Sequence, residues 1–320
     1  MLIIEPRASA IIFNYLTTNH KKNKFYLIPV NTCPIVPITF MKAGVPYELI
    51  DINISTLCID ENIIEEYLKN YKLEGILFIN TYGKIKNNDK LFKHIKKTRP
   101  DVKIIEDKCL NIPNLDYNNT PKYADIELYS TGYSKYVDIG YGGYALCKND
   151  IQYKKRYCKY NNKHLEKIEK RYKNSISQNK IFNYTYDYWL DNSDLKIERD
   201  EYMGRVNEYK NKVSIQKKNI NNIYRNNLPE EIIMEPINSG IHSWRFNILV
   251  SNKKDLLKEI FDNGLFASGH YKPLDGIFSD DRIYNSVAGK LYEKVVNLFN
   301  DFNINSEQAL KLTKIINKKL

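Results

Sequence analysis

A chain of 320 residues with a formal net charge of +11 has room for roughly two domains, and 42% hydrophobic with 12% aromatic residues suffices for a sizeable core. The longest apolar stretches are strand-sized, and the opening MLIIEPRASAIIF is broken by Glu5 and Arg7, so no signal sequence or membrane span is expected; Cys33, Cys58, Cys109, Cys147 and Cys158 lack CxxC or Cys/His spacing, so no disulfide framework, no metal site and a reducing cytoplasm are. The lysines are scattered among Ile, Asn and Tyr, as in KNDIQYKKRYCKY, so the charge suits an anionic small substrate better than nucleic acid, which is not expected as a partner.

In chain order, 26–30, 47–50, 75–80, 102–106, 126–130 and 143–147 are strand-like, rich in Ile, Leu, Val and Tyr. Helix-spaced apolar residues over 60–69, with Asp60 as N-cap, and over 90–97 fall between them. Strand alternating with helix at this spacing implies an α/β domain with a mostly parallel sheet flanked by helices. Beyond Cys147 the pattern predicts helix over 151–180 and 200–226; in the second, Tyr202, Val206, Tyr209 and Val213 form one buried stripe. The last hundred residues predict a strand over 244–250, a helix over 254–263 closed by Gly264, a short strand into GHYKPL, and two helices after Val287 and Ser306. This reads as a smaller C-terminal α+β domain, with the division drawn at 1–212 and 213–320.

Ligands of open α/β sheets sit beyond the carboxyl ends of the strands, so polar residues just after strands are the places to search. Asp107 follows VKIIE, Ser130 follows DIELY, and Lys135 stands five residues later. Alone, an aspartate there is a turn residue, a lysine a solvated cation and a serine part of a turn. Together, IIEDKC followed by LYSTGYSKYVDIGYGGYAL resembles the DegT/DnrJ family of nucleotide-sugar aminotransferases, which have the fold-type I architecture and use pyridoxal 5'-phosphate (PLP). Glu106-Asp107, Ser130, Lys135 and Gly142-Gly143 stand at the positions of that family's pattern. The resemblance extends to the segment from Ala43-Gly44 to Asp51, to Asn80-Thr81-Tyr82-Gly83, and to DLLKEIFDNGLFASGHYKPL with His270, Tyr271 and Pro273; residues 151–199 match poorly.

The resemblance implies that Lys135 carries PLP as a Schiff base and shuttles protons, and that Asp107 holds the ring nitrogen protonated so that the ring works as an electron sink. It implies Ser130 on the cofactor phosphate beside backbone N–H groups at a helix N-terminus, with His270, Tyr271 and Tyr82 toward substrate; Arg245, on the strand WRFNILV, is read from its own chemistry as either a bidentate clamp for a substrate carboxylate or a plain surface ion pair. Three positions depart from the family pattern, one of them Leu110, which stands three residues after the aspartate where the family usually has Gln or His. The phosphate cup, ordinarily a Gly-Thr pair, is Arg7-Ala8-Ser9 here, leaving the Ser9 hydroxyl and the helix that begins there; the ring-stacking aromatic falls at Cys33, whose sulfur packs on a ring without stacking as one. Little chain precedes the cup, so a different or smaller acceptor is expected than in the family at large.

The leading expectation is amino transfer from an amino acid, glutamate, to a nucleotide-linked keto sugar for surface glycan, by a cytoplasmic homodimer. A PLP enzyme on a non-sugar substrate and a non-catalytic relative that binds a ligand or partner are the alternatives. The family's dehydratase branch carries histidine in place of the lysine, which Lys135 argues against.

Overall fold

The computed structural model describes residues 1–84, 87–118, 120–185, 187–234 and 244–320. Its large layer is a sheet of β1 (Leu2–Glu5), β2 (Phe25–Pro29), β3 (Tyr47–Ile50), β4 (Leu73–Ile79), β5 (Lys103–Asp107), β6 (Ile126–Ser130) and β7 (Gly143–Cys147). The order is β1-β7-β6-β5-β4-β2-β3. Strands β2 to β6 run parallel, while β7 is antiparallel to both β6 and β1. A parallel sheet must be covered on both faces. Accordingly β2, β4 and β7 are buried along their whole length, one face under α1 (Ala8–Asn19) and α2 (Ile35–Ala43), the other under α3 (Glu61–Tyr67) and α4 (Asp89–Thr98).

Helix α1 has no polar face to betray it: Ala8 and Ala10 through Leu16 are all buried, the mark of a helix enclosed by protein on every side. Helix α3 begins where Asp60 accepts the Asn62 N–H at 2.8 Å, the expected N-cap. The predicted helix over 151–180 is corrected. Only Asn162–Gln178, α5, is helical. Residues 151–161 lie extended because polar contacts to α1 and β1 outbid helix formation: Tyr153 Oη donates to Glu5 at 2.9 Å, Lys155 Nζ pairs with Glu5 at 2.8 Å, and the Arg156 N–H donates to Asn14 Oδ1 at 3.0 Å.

The second layer set is smaller. Strands β8 (Phe246–Leu249), β9 (Ala267–Ser268) and β10 (Val295–Leu298) form an antiparallel sheet in the order β8-β10-β9, covered by α7 (Lys253–Asp262) and α9 (Ser306–Lys319), with α8 (Val287–Lys294) running directly into β10. Between the two bodies runs α6 (Arg199–Asn227). Its first half buries Tyr202, Met203, Val206 and Val213 against Tyr129 and Tyr144 of the large sheet; its second half buries Ile220 and Tyr224 against Phe246 of the small one. The division drawn at residue 212 thus falls inside one continuous helix.

Candidate active site

Strand alternation decides what the two adjacent acids do, because successive side chains leave a strand on opposite faces. Glu106 is consumed structurally: it pairs with Lys108 at 3.0 Å and accepts from Asn80 Nδ2 at 3.0 Å and Asn88 Nδ2 at 2.8 Å. Asp107, the last residue of β5, faces the other way and is only 6% exposed. Burial raises its carboxyl above the ordinary carboxylate range, against which the Cys109 N–H, donating at 2.8 Å, and the Lys135 ammonium favour the charged form.

Lys135 lies half-buried on the loop after β6. Its charge acts on Asp107, Cys109 and His270 alike, which sets it in their neighbourhood. The loop is held at close intervals. Asp138 accepts the N–H of Ser134 at 2.7 Å and of Gly140 at 3.0 Å, Ile139 N–H donates to the Thr131 carbonyl at 3.0 Å, and Thr131 Oγ1 bonds Tyr202 Oη at 2.7 Å.

Ser130, at the end of β6, is paired with Gly143 of β7, and Gly143 abuts the start of α1 so closely that a Cβ there would fall 2.5 Å from the Ala8 nitrogen. That contact requires glycine. Ser130 and the first turn of α1, with Ala8 and Ser9, therefore meet at one corner. Arg7, the N-cap, gives that turn no side-chain acceptor and the turn holds no acidic residue; the Ala10 N–H donates to the Arg7 carbonyl at 3.0 Å, while the helix dipole there favours an anion.

The remaining candidates close the pocket from other elements. The Tyr82 hydroxyl donates to the His270 carbonyl at 2.7 Å, and the Leu274 N–H to the Val30 carbonyl at 3.0 Å, which lays 270–274 along the loop carrying Cys33. The Tyr271 ring stacks on Trp244 at 6.0 Å and lies 6.2 Å from Tyr82; its phenol is raised by burial and feels Cys33, Arg245, Asp107 and Cys109. His270 bonds Ser268 Oγ through Nδ1 at 3.1 Å, and burial, reinforced by Arg245, Lys135 and Lys253, pushes its pKa down to about 4. Arg245 is buried, its terminal nitrogens on the hydroxyls of Ser134 and Ser268.

Sequence reading passed over several residues here. Asn31, Thr32 and Thr81 follow β2 and β4, are about as buried as core residues, and have side-chain polar atoms without a hydrogen-bond partner among the described residues; the same search for polar residues after strands would have found them. Lys217 continues the buried stripe of α6, and donates to the Trp244 carbonyl at 2.7 Å and to Asn300 Oδ1 at 2.8 Å. A lysine on an apolar stripe was its signal. Among the described residues no cluster of His, Cys, Asp and Glu could hold a metal, and all five cysteines are free.

A mostly parallel sheet with Asp107 and Ser130 at the ends of adjacent strands, beside a small antiparallel sheet, is the fold-type I architecture. The chain belongs to the DegT/DnrJ/EryC1/StrS aminotransferase family, whose profile it matches over residues 36–317. It is similar to the 3-oxo-glucose-6-phosphate:glutamate aminotransferase of Bacillus subtilis (strain 168), 26% identical over 207 residues, a match covering 63% of this chain and 43% of that protein. Its fold is that of a putative sugar aminotransferase, Spr1654, from Streptococcus pneumoniae in the PMP form, at TM-score 0.71 and 15% identity over 99% of this chain and 88% of that one. The same fold is found in the Escherichia coli GDP-4-keto-6-deoxy-D-mannose-3-dehydratase with bound hydrated PLP, at TM-score 0.66 and 16% identity over 98% and 87%.

Proposed function

We propose that this chain is a PLP-dependent aminotransferase that moves an amino group from an amino acid, glutamate, onto a keto sugar carrying a phosphate, either as a sugar phosphate or linked to a nucleotide. The observation that carries the reading is the placement of Asp107 and Ser130 at the carboxyl ends of the adjacent strands β5 and β6, with Lys135 on the loop that follows and its charge felt at Asp107. Because the fold alone is shared by amino transfer and dehydration, the choice rests on these side chains.

The residues fit the cofactor's three ends. Ser130, Ser9 and the uncapped first turn of α1 suit its phosphate, Asp107 its ring nitrogen, and Lys135 its aldehyde carbon. Bound there, PLP supplies the sink for the electron pair left when the donor loses its α-proton. Lys135 Nζ takes up that proton and returns it at the neighbouring carbon. Asp107, already short of water, keeps the proton on the ring nitrogen. His270, neutral at physiological pH, is available as a hydrogen-bonding partner rather than as a cation. Tyr82 and Tyr271 wall the substrate side, and Cys33 packs by its sulfur.

A phosphorylated acceptor accords with the net charge of +11 and with the substrate named for the Bacillus subtilis relative. Cytoplasmic assembly as a homodimer, for glycan synthesis, belongs to the same proposal. Incubation of the PLP-loaded protein with glutamate and a panel of keto-sugar phosphates and keto-sugar nucleotides, followed by mass spectrometry, separates the acceptors. Amination of keto acids only would replace the sugar reading, and failure to load PLP would point to a relative that binds without turnover.

A further inference from the structure

The position just ahead of Lys135 is gripped from the small body in a way that packing alone does not require. Ser134 has φ +61°, a left-handed conformation that costs a non-glycine residue on the order of 1 kcal/mol. Three groups hold it. Its N–H goes to Asp138, its carbonyl accepts from Trp244 Nε1 at 2.8 Å, and its hydroxyl accepts from an Arg245 terminal nitrogen at 2.7 Å.

Arg245 is 4% exposed; among the described residues its second terminal nitrogen meets only the Ser268 hydroxyl, at 2.8 Å, and Nε has no partner. Its guanidinium lies 3.6 Å from the Phe299 ring centroid and 4.8 Å from that of Trp244. Burying a cation on two hydroxyls and two rings is costly, and burial brings the group's pKa down to about 10. Trp244 is itself fixed from behind, since its carbonyl accepts from the buried Lys217 of α6. A chain of direct contacts thus runs from α6 through Trp244 to the residue preceding the reactive amine.

We propose that Arg245 and Trp244 are positioning residues that keep Ser134 in its left-handed turn and so fix the direction in which the following residue, Lys135, presents its amine. What the amine does there rests on the aminotransferase reading; how it is held does not.

The test uses the full chain with Arg245→Met, Arg245→Lys, Ser134→Ala and the Met/Ala double variant. Without cofactor, Arg245→Met raises amide exchange across 131–139 about tenfold while 126–130 is unchanged, and Arg245→Lys restores part of the protection. In the loaded protein the kcat for amino transfer falls about 10- to 100-fold, the KM for donor stays within about twofold, and the visible circular dichroism of the cofactor weakens. The double variant is no worse than the worse single one, because both remove the same contact. Unchanged exchange in Arg245→Met, or additive losses, would overturn the proposal; so would a raised KM with intact kcat, which assigns Arg245 to the substrate's carboxylate instead. A wild-type chain that takes up no PLP yet shows the exchange response contradicts the function and upholds the positioning.

Discussion

Burial and charge at single residues set the chemistry of this pocket, and three substitutions read them out. Lys135→Ala removes the amine while leaving α6, β7 and the rest of the loop's hydrogen bonds in place; amino transfer should be lost with the unfolding midpoint nearly unchanged. Asp107→Asn keeps the shape and the Cys109 N–H contact but cannot hold a ring proton, so PLP titration should show weaker binding and transfer should slow by about two orders of magnitude. His270 makes a pH prediction. Its pKa falls from 6.5 in the unfolded chain to about 4 in the fold. The unfolded state therefore binds the extra proton first, and the stability that depends on a neutral His270 is whole above pH 6.5 and drains away as the pH falls toward 4. Urea unfolding at pH 7.5 and pH 5, a comparison placed on either side of about 6.5, should show a smaller acid loss in His270→Asn than in the wild type.

Elements meet most tightly where α1 abuts β7. Gly143→Ala drives a methyl into backbone, 2.5 Å from the Ala8 nitrogen and 2.7 Å from its Cα, where no side chain can swing aside. About 1–3 kcal/mol of stability should be lost, and the anion corner at Ser130 and Ser9 should open, so PLP affinity falls along with the denaturation midpoint. At this scale the sequence was partly legible. Strands β3, β6 and β7 coincide with the strand-like stretches read at 47–50, 126–130 and 143–147; of these only β7 is buried along its whole length. The extended course of 151–161 was not legible, since KKRYCKY has helical spacing and only the distant Glu5 and Asn14 pull it straight. Strand β10 was hidden because it follows α8 with no turn residue between Lys294 and Val295. In the candidate site, the order along the chain singles out Asp107, Ser130 and Lys135, and the first two stand at the ends of β5 and β6, whereas the grip of Trp244 on Ser134 depends on two bodies meeting and has no local signature.

The molecule as a whole joins those two bodies through α6, which places one half of its apolar stripe in each. Loading with PLP should therefore raise a single cooperative unfolding transition rather than one of two, as calorimetry would report. The net charge of +11 adds a long-range effect: kcat/KM for a phosphorylated acceptor should fall several-fold with rising salt while kcat holds, because screening weakens capture and leaves the enclosed chemistry alone. Both effects presuppose that the cofactor is carried where the strands end. Borohydride reduction of the PLP-loaded protein, followed by digestion and peptide mass spectrometry, addresses this directly. The phosphopyridoxyl mass should appear on the peptide containing Lys135 and vanish in Lys135→Ala; the same label on another lysine, or none on a protein that still transfers amino groups, would contradict the account.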